Sequence, residues 1–438
     1  MLARKLTVVL LFCAVLTGWL ASGWLQGPRP AHAETAYAEL QLFTDVLSIV
    51  RRSYVEEVPV KELVYGAIDG MLASLDPHSG FMPPDVYKEM KIDTRGEFGG
   101  LGIEITLKDE ILTIVTPIED TPAFRAGLAA GDRILKIGDQ YTKGMEIMGA
   151  VRLMRGAPGT DVTIAVMREG FEKPKEFTLK REVIKIKSIK AKTLEDGFGY
   201  IRVTQFQERT ASDLERALEG LRKESGGGLK GLVVDLRNNP GGLLDQAVDV
   251  ADLFLAEGLI VYTKGREADA QMEFSAKRSG TEPNYPMVVL INGGSASASE
   301  IVAGALQEHG RGVILGVQSF GKGSVQTILP LGDDSGLRLT TARYYTPKGT
   351  SIQAKGITPD IEVRQVEVKE AGEREHFREK DLPNHFGSEQ GEKPAKPAEM
   401  NGSHFQVDAD QRGDYQLMRA LDLLKGWQIL QGLKRPAA

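Results

Sequence analysis

Cysteine is almost absent from this 438-residue chain, and its one cysteine, Cys13, lies near the N-terminus. Cys13 belongs to the uncharged apolar run Leu6–Leu25, which two basic residues precede and the small-residue pattern Ala31–His32–Ala33 follows. This order predicts a secretory signal over residues 1–33. An uncleaved membrane anchor is the alternative, because such a run is long enough to span a bilayer. The rest of the chain has no thiol, which excludes disulfides and cysteine metal sites there and fits an exported protein of a bacterial cell envelope.

Positive charge is also in short supply. Lys and Arg number 54 against 60 Asp and Glu, which makes the formal net charge −6. We see no basic stripe, so we expect no nucleic-acid partner. The sequence contains no HExxH pattern, no cluster of acidic ligands and no phosphate-binding loop. We therefore expect neither a metal nor a cofactor.

Apolar residues recur at helical spacing near both ends of the exported part. They predict an N-terminal helical region over 34–95 and a C-terminal amphipathic helix within 413–438. Between the core and the last helix, residues 366–412 are rich in Glu, Lys, Pro and Gly and are predicted to be a flexible linker. A hydrophobic helix beyond such a linker must dock on this chain or on a partner. The residues on the apolar face of that helix are Leu417, Leu421, Leu424 and Trp427, with Leu430 towards its edge.

Residues 96–185 change to short strands and glycine turns, which predicts a small, mainly β domain. A glycine-rich loop over Phe98–Gly102 leads into an alternating strand. Together with the run AGLAAGDRILKIG at Ala126–Gly138, this loop is similar to bacterial PDZ domains. Backbone N–H groups of such a loop can bind a terminal carboxylate while the strand edge accepts an added strand. The candidate tail-binding residues are Gly100, Leu101, Gly102 and Ile103.

Residues 186–365 alternate strands and helices, which predicts an α/β core. The buried-type strand Met287–Ile291 passes through NGGSASASE, which ends at Glu300, into a helix. This places Ser297 at a helix N-terminus, where free N–H groups favour developing negative charge. An ordinary capping box of Ser297 with Glu300 is the competing interpretation. Lys322 lies between two glycines downstream, and a solvated loop lysine is its competing interpretation.

Four features now coincide: the export signal, the PDZ-like module, DLRNNPGG at Asp235–Gly242, and GSASASE followed by FGKGSVQ. Together they closely resemble the carboxyl-terminal processing peptidases, or tail-specific proteases, over about residues 37–363. The resemblance implies an α/β crotonase-like (ClpP/crotonase-type) protease core, with a mainly β PDZ domain and an N-terminal helical segment. It implies Ser297 as nucleophile, Lys322 as general base and Gln326 as the residue that orients the lysine.

The histidines make a Ser-His-Asp triad a poor fit. His32 lies in the predicted signal, His78 in a Pro/Gly turn, and His309 at the far end of the helix that Ser297 begins. The other three histidines lie in the predicted linker. A lysine can act instead if burial lowers its pKa from about 10.4 towards neutrality. The uncharged Gln326 can orient such an amine without favouring its protonated form.

An oxyanion needs two N–H donors, and the sequence offers the Ala298 amide and either Gly241 or Gly242 in the turn at Asn239–Gly242.

Two other patterns resemble catalytic motifs but do not fit. Ser319–Lys322 spells S-x-x-K, the signature of penicillin-binding enzymes, but glycines on both sides of the lysine disfavour the helix that this motif requires. The neighbouring serines Ser295 and Ser299 are less suitable candidates for the nucleophile, because the family motif matches Ser297.

We therefore predict a serine endopeptidase of the periplasm or cell envelope that captures proteins by unstructured C-terminal tails and cleaves them. A PDZ scaffold without proteolysis is one alternative. An acyl-CoA enzyme of the same core fold is another, which we disfavour because coenzyme A is not expected outside the cytoplasm. Self-association through the terminal helices and a regulatory adaptor are candidate partnerships.

Overall fold

The computed structural model of the chain describes residues 31–195, 197–266, 271–366 and 413–433. The signal predicted over 1–33 and the linker predicted over 366–412 therefore lie almost wholly outside the described residues. None of the helices within these ranges combines the length and the apolarity that a membrane span requires. The chain divides into two compact units, Met1–Phe81 and Met82–Ala438.

The described part of the first unit, residues 31–81, is mainly helical, which confirms the prediction of an N-terminal helical segment. Its helices are α1 (Ala31–Ser53) and α2 (Val60–Ala73), and the short strand β1 (Gly80–Met82) follows. Pro59 precedes α2, where a fixed φ and a missing N–H suit a helix start. Several apolar side chains of α1 are more than two-fifths exposed, namely Leu40, Phe43, Val46 and Ile49.

The second unit starts with a helix and a strand-rich region. The elements are α3 (Pro84–Arg95), β2 (Glu97–Gly100), β3 (Ile103–Lys108), β4 (Ile111–Pro117), α4 (Pro122–Arg125), β5 (Arg133–Ile137), β6 (Gln140–Tyr141), α5 (Ile147–Met154), β7 (Asp161–Met167), β8 (Lys175–Lys180) and β9 (Glu182–Lys185). Strands β3, β4, β5, β7 and β8 form one antiparallel sheet in that order, with β6 beside β5, and β2 pairs with β9. Apolar side chains alternate inward along β7, as the period of a strand requires.

The glycine-rich loop predicted over Phe98–Gly102 is wrong in its first part, because residues 98–100 lie within strand β2. Gly99 is required there by close backbone approach: a Cβ on it would lie 2.1 Å from the carbonyl oxygen of Gly156. The Gly156 N–H donates to the Gly99 carbonyl at 3.0 Å. The turn is therefore confined to Leu101 and Gly102.

The α/β core predicted from strand–helix alternation is confirmed. Its elements are β10 (Ile189–Glu195), β11 (Phe198–Val203), α6 (Thr210–Glu224), β12 (Gly231–Asp235), α7 (Leu244–Asp252), β13 (Leu259–Gly265), β14 (Glu273–Ser275), β15 (Met287–Ile291), α8 (Ala298–Glu308), β16 (Val313–Gly316), β17 (Ser324–Pro330), β18 (Gly336–Tyr345) and β19 (Ile361–Glu362). The main sheet has the order β10-β11-β12-β15-β16-β19 and is parallel from β11 onward. Strands β17, β18, β13 and β14 pair antiparallel in a second sheet.

The C-terminal helix α9 (Tyr415–Leu433) docks on this chain, which answers the question that the sequence left open. Side chains of β12 and β15 point alternately to the two faces of the main sheet. One face is covered by α6, α7 and α8, and the other by α9. Of the predicted apolar face of α9, Leu417, Leu421 and Leu424 are buried, whereas Trp427 and Leu430 are more than half exposed.

Candidate active site

Ser297 occupies a strained turn between a buried strand and a helix. It follows β15 and immediately precedes α8, with φ 59° and ψ −116°. A positive φ is uncommon for a residue with a side chain and persists only where the surrounding structure enforces it. A sharp strand-to-helix turn of this kind presents a serine hydroxyl in other hydrolases. Ser297 is only half-buried, whereas the residues that follow it in α8 are buried.

The two neighbouring serines are used in a different way. Ser295 and Ser299 are fully buried. The Ser295 hydroxyl donates to the Leu236 carbonyl at 2.8 Å, and the Ser299 hydroxyl donates to the Asn239 carbonyl at 3.0 Å. Both acceptors belong to residues 236–243, which we call the NPGG turn. The outer serines thus fasten the turn at Ser297 to the NPGG turn, and Ser297 is the one of the three serines that is partly exposed.

The NPGG turn lies directly against Ser297. Gly241 has φ 104°, and a Cβ on it would lie 2.8 Å from the Ser297 Cβ and 3.1 Å from the Ala298 nitrogen. Only glycine fits this approach. The Gly241 N–H donates to Asn239 Oδ1 at 2.9 Å. The Gly242 N–H shares its peptide with the Gly241 carbonyl, which accepts from Phe206, and it therefore points away from Phe206.

Lys322 lies in the loop just before β17, and the flanking glycines permit close packing as predicted. A Cβ on Gly323 would lie 2.5 Å from the Gln353 nitrogen. Lys322 is half-buried, and its backbone N–H donates to Glu300 Oε2 at 2.9 Å. Gln326, four residues later on β17, donates from its amide to Ser324 Oγ at 2.9 Å and to Thr340 Oγ1 at 3.4 Å.

The S-x-x-K decoy does not form the helix that its chemistry requires. No helix covers Ser319–Lys322 in the described structure. The Ser319 hydroxyl is buried, donates to Glu300 Oε1 at 2.5 Å and accepts from the Ile357 N–H at 2.6 Å. Ser319 therefore has a structural role here.

Glu300 is a residue whose importance the sequence understated, because it looked like the second half of a capping box. That half does form: the Ser297 N–H donates to Glu300 Oε2 at 2.7 Å. The fully buried carboxyl also accepts the Ser319 hydroxyl and the N–H groups of Gly321, at 2.7 Å, and of Lys322. The Glu300 side chain thus joins the backbone at Ser297 to the loop of residues 319–322. Four donors compensate the burial of a polar group of this kind.

Tyr344 was missed by sequence reasoning altogether. Its hydroxyl lies 2.6 Å from Ser297 Oγ, and its backbone N–H donates to the Gly323 carbonyl at 2.9 Å. Burial is the main reason that the pKa of Tyr344 is raised to about 12. The phenol is therefore neutral at physiological pH and acts as a hydrogen-bond partner. No local motif marks Tyr344, which reaches the site through the pairing of β18 with β17 and β13, where it lies opposite Thr263.

Three of the four candidate tail-binding residues, Leu101, Gly102 and Ile103, line a groove beside the PDZ-like sheet, whereas Gly100 ends strand β2 and does not line it. The carbonyls of Leu101 and Gly102 accept from Ala123 and Ile118 at 3.0 and 2.8 Å. In a trans peptide the N–H points opposite to the carbonyl, so the N–H groups of Gly102 and Ile103 face away from that segment. Strand β3 is the edge of its sheet. A cavity of about 70 Å³ lies there, lined by Phe98, Leu101, Gly102, Ile103, Ile105, Val151, Met154 and Arg155.

Comparison with known proteins places these features in a family. Residues 197–363 match Peptidase family S41, residues 99–180 match the PDZ domain, and residues 25–86 match the activating protease CtpB N-terminal domain. The chain is 48% identical over 396 residues to a carboxy-terminal-processing protease of Bartonella bacilliformis, which covers 90% of both proteins.

Two further proteins are similar to this chain. A carboxyl-terminal-processing protease of Synechocystis is 39% identical over 72% of this chain and 75% of its own length. The solved structure of a photosystem II D1 C-terminal processing protease is 31% identical, with a TM-score of 0.44 over 74% of this chain and 92% of that one. The identity and coverage of the curated relatives are high enough to assign the family. This chain belongs to the carboxy-terminal-processing proteases of Peptidase family S41, and it is a serine peptidase with a PDZ domain.

Proposed function

We propose that Ser297 and Lys322 are the catalytic dyad of this peptidase. The observation that carries the proposal is the position of Ser297: a strained, half-exposed serine begins a buried helix and lies directly against the Gly241 backbone. Glu300 ties the backbone of Ser297 to that of Lys322, so the two residues belong to one hydrogen-bonded unit. Gln326 is the candidate for orienting the lysine amine, and the protease core is crotonase-like.

In the proposed reaction the neutral Lys322 amine takes the proton of the Ser297 hydroxyl while Oγ attacks the scissile carbonyl. The Ala298 N–H and one amide of the NPGG turn donate to the resulting oxyanion. The Gly242 N–H is the second donor if the turn keeps its present bonds, whereas Gly241 must first release Asn239 Oδ1. The lysine then gives its proton to the departing amine as the C–N bond breaks. Water, deprotonated by the same lysine, hydrolyses the acyl-serine.

Substrate selection is proposed to occur in the groove at β3. A C-terminal tail would pair with the edge of β3 and place its carboxylate at the Leu101–Gly102 turn, with Gly100 and Ile103 on either side of it. The directions of the Gly102 and Ile103 amides support this, because consecutive N–H groups that point to one side form an anion-binding concavity.

The wider setting is also part of the proposal. We expect the enzyme to act in the periplasm or cell envelope on proteins with unstructured C-terminal tails. The exposed apolar side chains of α1 and of the end of α9 make those helices candidates for self-association. A regulatory adaptor would be a further partner.

The decisive experiment compares wild type with Ser297→Ala on a folded protein that carries an unstructured tail. Wild type should cleave it and Ser297→Ala should not, while both bind the tail. Amidating the tail's carboxyl terminus should weaken binding and slow cleavage, since it removes the charge that the turn is proposed to bind. Equal cleavage by wild type and Ser297→Ala contradicts the dyad, and equal cleavage of free and amidated tails contradicts carboxylate recognition.

A further inference from the structure

The guanidinium of Arg237 joins the NPGG turn to the C-terminal helix. It donates to Asp235, at the end of β12, from Nε at 2.9 Å and from Nη2 at 2.7 Å. It also donates to both carboxylate oxygens of Asp414, immediately before α9, from Nη1 at 2.8 Å and from Nη2 at 2.6 Å. A planar fork that is held by two carboxylates has little freedom to rotate or translate.

This ionic cluster is out of contact with most of the solvent. The Arg237 side chain is 9% exposed and the Asp235 side chain is fully buried. Burial favours the neutral form of Asp414, but the hydrogen bonds and the positive charge of Arg237, together with the Leu417 N–H and the charge of Arg202, lower the pKa of the Asp414 carboxyl. Gln416, on α9, accepts from Arg237 Nη1 at 3.1 Å and donates to the Val363 carbonyl at 2.7 Å. Removing one partner from a buried ionic cluster leaves a charge without compensation.

The opposite side of the NPGG turn is in contact with the nucleophile. Four residues after Arg237, Gly241 packs against Ser297. Between them, the Asn239 carbonyl accepts the Ser299 hydroxyl and the Ala296 N–H. The turn is thus held at its start by the α9 segment and at its end by the nucleophile turn. Misplacing a catalytic group by about 1 Å can lower a rate by about 10²-fold.

We propose that Asp414 is a positioning residue for the peptidase reaction. Through Arg237 it holds the NPGG turn in the geometry that oxyanion stabilisation requires, so that turnover depends on a docked α9. The inference rests on the proposed function, because it needs an oxyanion donor in that turn. It gives the last helix of the chain a part in the chemistry beyond covering the sheet.

The test measures kcat and KM on a short peptide substrate, and the rate at which a fluorophosphonate labels Ser297. Asp414→Asn removes the charge and keeps the shape, and Asp414→Glu restores the charge. Asp422→Asn is the matched control, since Asp422 lies on the same helix and pairs with Arg419 at the surface. Leu421→Ala loosens the packing of α9 while it leaves Arg237, Asp414 and Gln416 intact.

Asp414→Asn should lower kcat at least tenfold and slow labelling by a similar factor, with KM changed less than twofold. Asp414→Glu should recover part of this loss, and Asp422→Asn should match wild type. Leu421→Ala should lower the Tm more than Asp414→Asn does and still turn over at a wild-type rate below its Tm. Wild-type kcat in Asp414→Asn overturns the proposal, as does a loss of kcat that simply follows the loss of Tm across both variants. Wild type against Ser297→Ala separately decides the proposed function.

Discussion

The two sides of the candidate site are held in place by different means. On the nucleophile side, buried hydroxyls of Ser295 and Ser299 fasten the turn at Ser297 to the NPGG turn through backbone carbonyls. On the base side, Lys322 precedes an antiparallel ladder whose register shifts between residues 325 and 326. The turn at Ser297 is therefore held by side-chain-to-backbone bonds to the NPGG turn. The loop of Lys322 is held by the Glu300 carboxyl and by backbone bonds to neighbouring segments, among them those of Phe320 to Ser295 and of Tyr344 to Gly323.

The proposed reaction requires the nucleophile side to be in place before any substrate arrives. Buried donors and acceptors that are fully paired hold a loop in one geometry, and preorganised N–H groups are what oxyanion stabilisation requires. The proposed base needs a proton-accepting atom within reach of Ser297 Oγ. Substitutions on the two sides should therefore have separable signatures, from the chemistry itself down to fine positioning.

The largest effect should come from substituting Lys322, the proposed general base. Lys322→Arg keeps the positive charge but cannot deprotonate, so it should lose the contribution of proton transfer, about 10²–10⁴-fold in kcat. The wild-type rate should rise with pH as Lys322 loses its proton, and this rise should disappear in the variant. Peptide hydrolysis across a pH series measures both.

Lys348→Arg is the control, because Lys348 is an exposed lysine near the end of the same sheet. Near-wild-type turnover in Lys322→Arg, with the pH dependence intact, would show that another group accepts the serine proton.

The same comparison shows what the sequence could reveal. Ser297, its helix and the NPGG turn were predictable because each is encoded in consecutive residues: a buried strand, small residues, then an apolar helix. Tyr344 was not, because its contact with Ser297 depends on how β17 and β18 pair. Glu300 was visible only as a capping residue, since its bonds to the lysine loop connect segments that are distant in the chain.

Other parts of the fold divide along the same line. The docking of α9 was predicted as a necessity, because an apolar helix face must be covered, but its location was not. Arg237 pairs with Asp414, and the two residues lie on either side of a long predicted linker. No local sequence pattern predicts a contact between residues so far apart in the chain. The sequence predicts a loop at Gly99 and Gly100, whereas the structure places both in β2, where Gly99 permits the close approach of two backbone segments.

An intermediate effect is expected for Glu300, which bridges the two sides. Glu300→Gln keeps the size of the side chain but replaces one acceptor oxygen with an amide NH2 donor. At least one of the groups that donate to Glu300 would then face another donor. Bonds to a charged group are worth about 1.5–3 kcal/mol, and we expect both a lower Tm and a kcat reduced by about 10–100-fold. Glu308→Gln, at the other end of α8, is the matched control. An unchanged kcat with a lowered Tm would assign Glu300 to folding alone.

The smallest effect should come from Tyr344→Phe, which keeps the ring and removes the hydroxyl that contacts Ser297 Oγ. One neutral hydrogen bond contributes about 0.5–1.5 kcal/mol, so kcat should fall by up to about tenfold while KM stays constant. Since the pKa of Tyr344 is about 12, the phenol remains protonated at lower pH, and the substitution should lower the pH–rate profile without changing its shape. Tyr345→Phe is the control, because Tyr345 instead stacks on Tyr262. A faster variant would mean that Tyr344 restrains the serine at rest, and an altered profile shape would mean that it shares in the proton transfer.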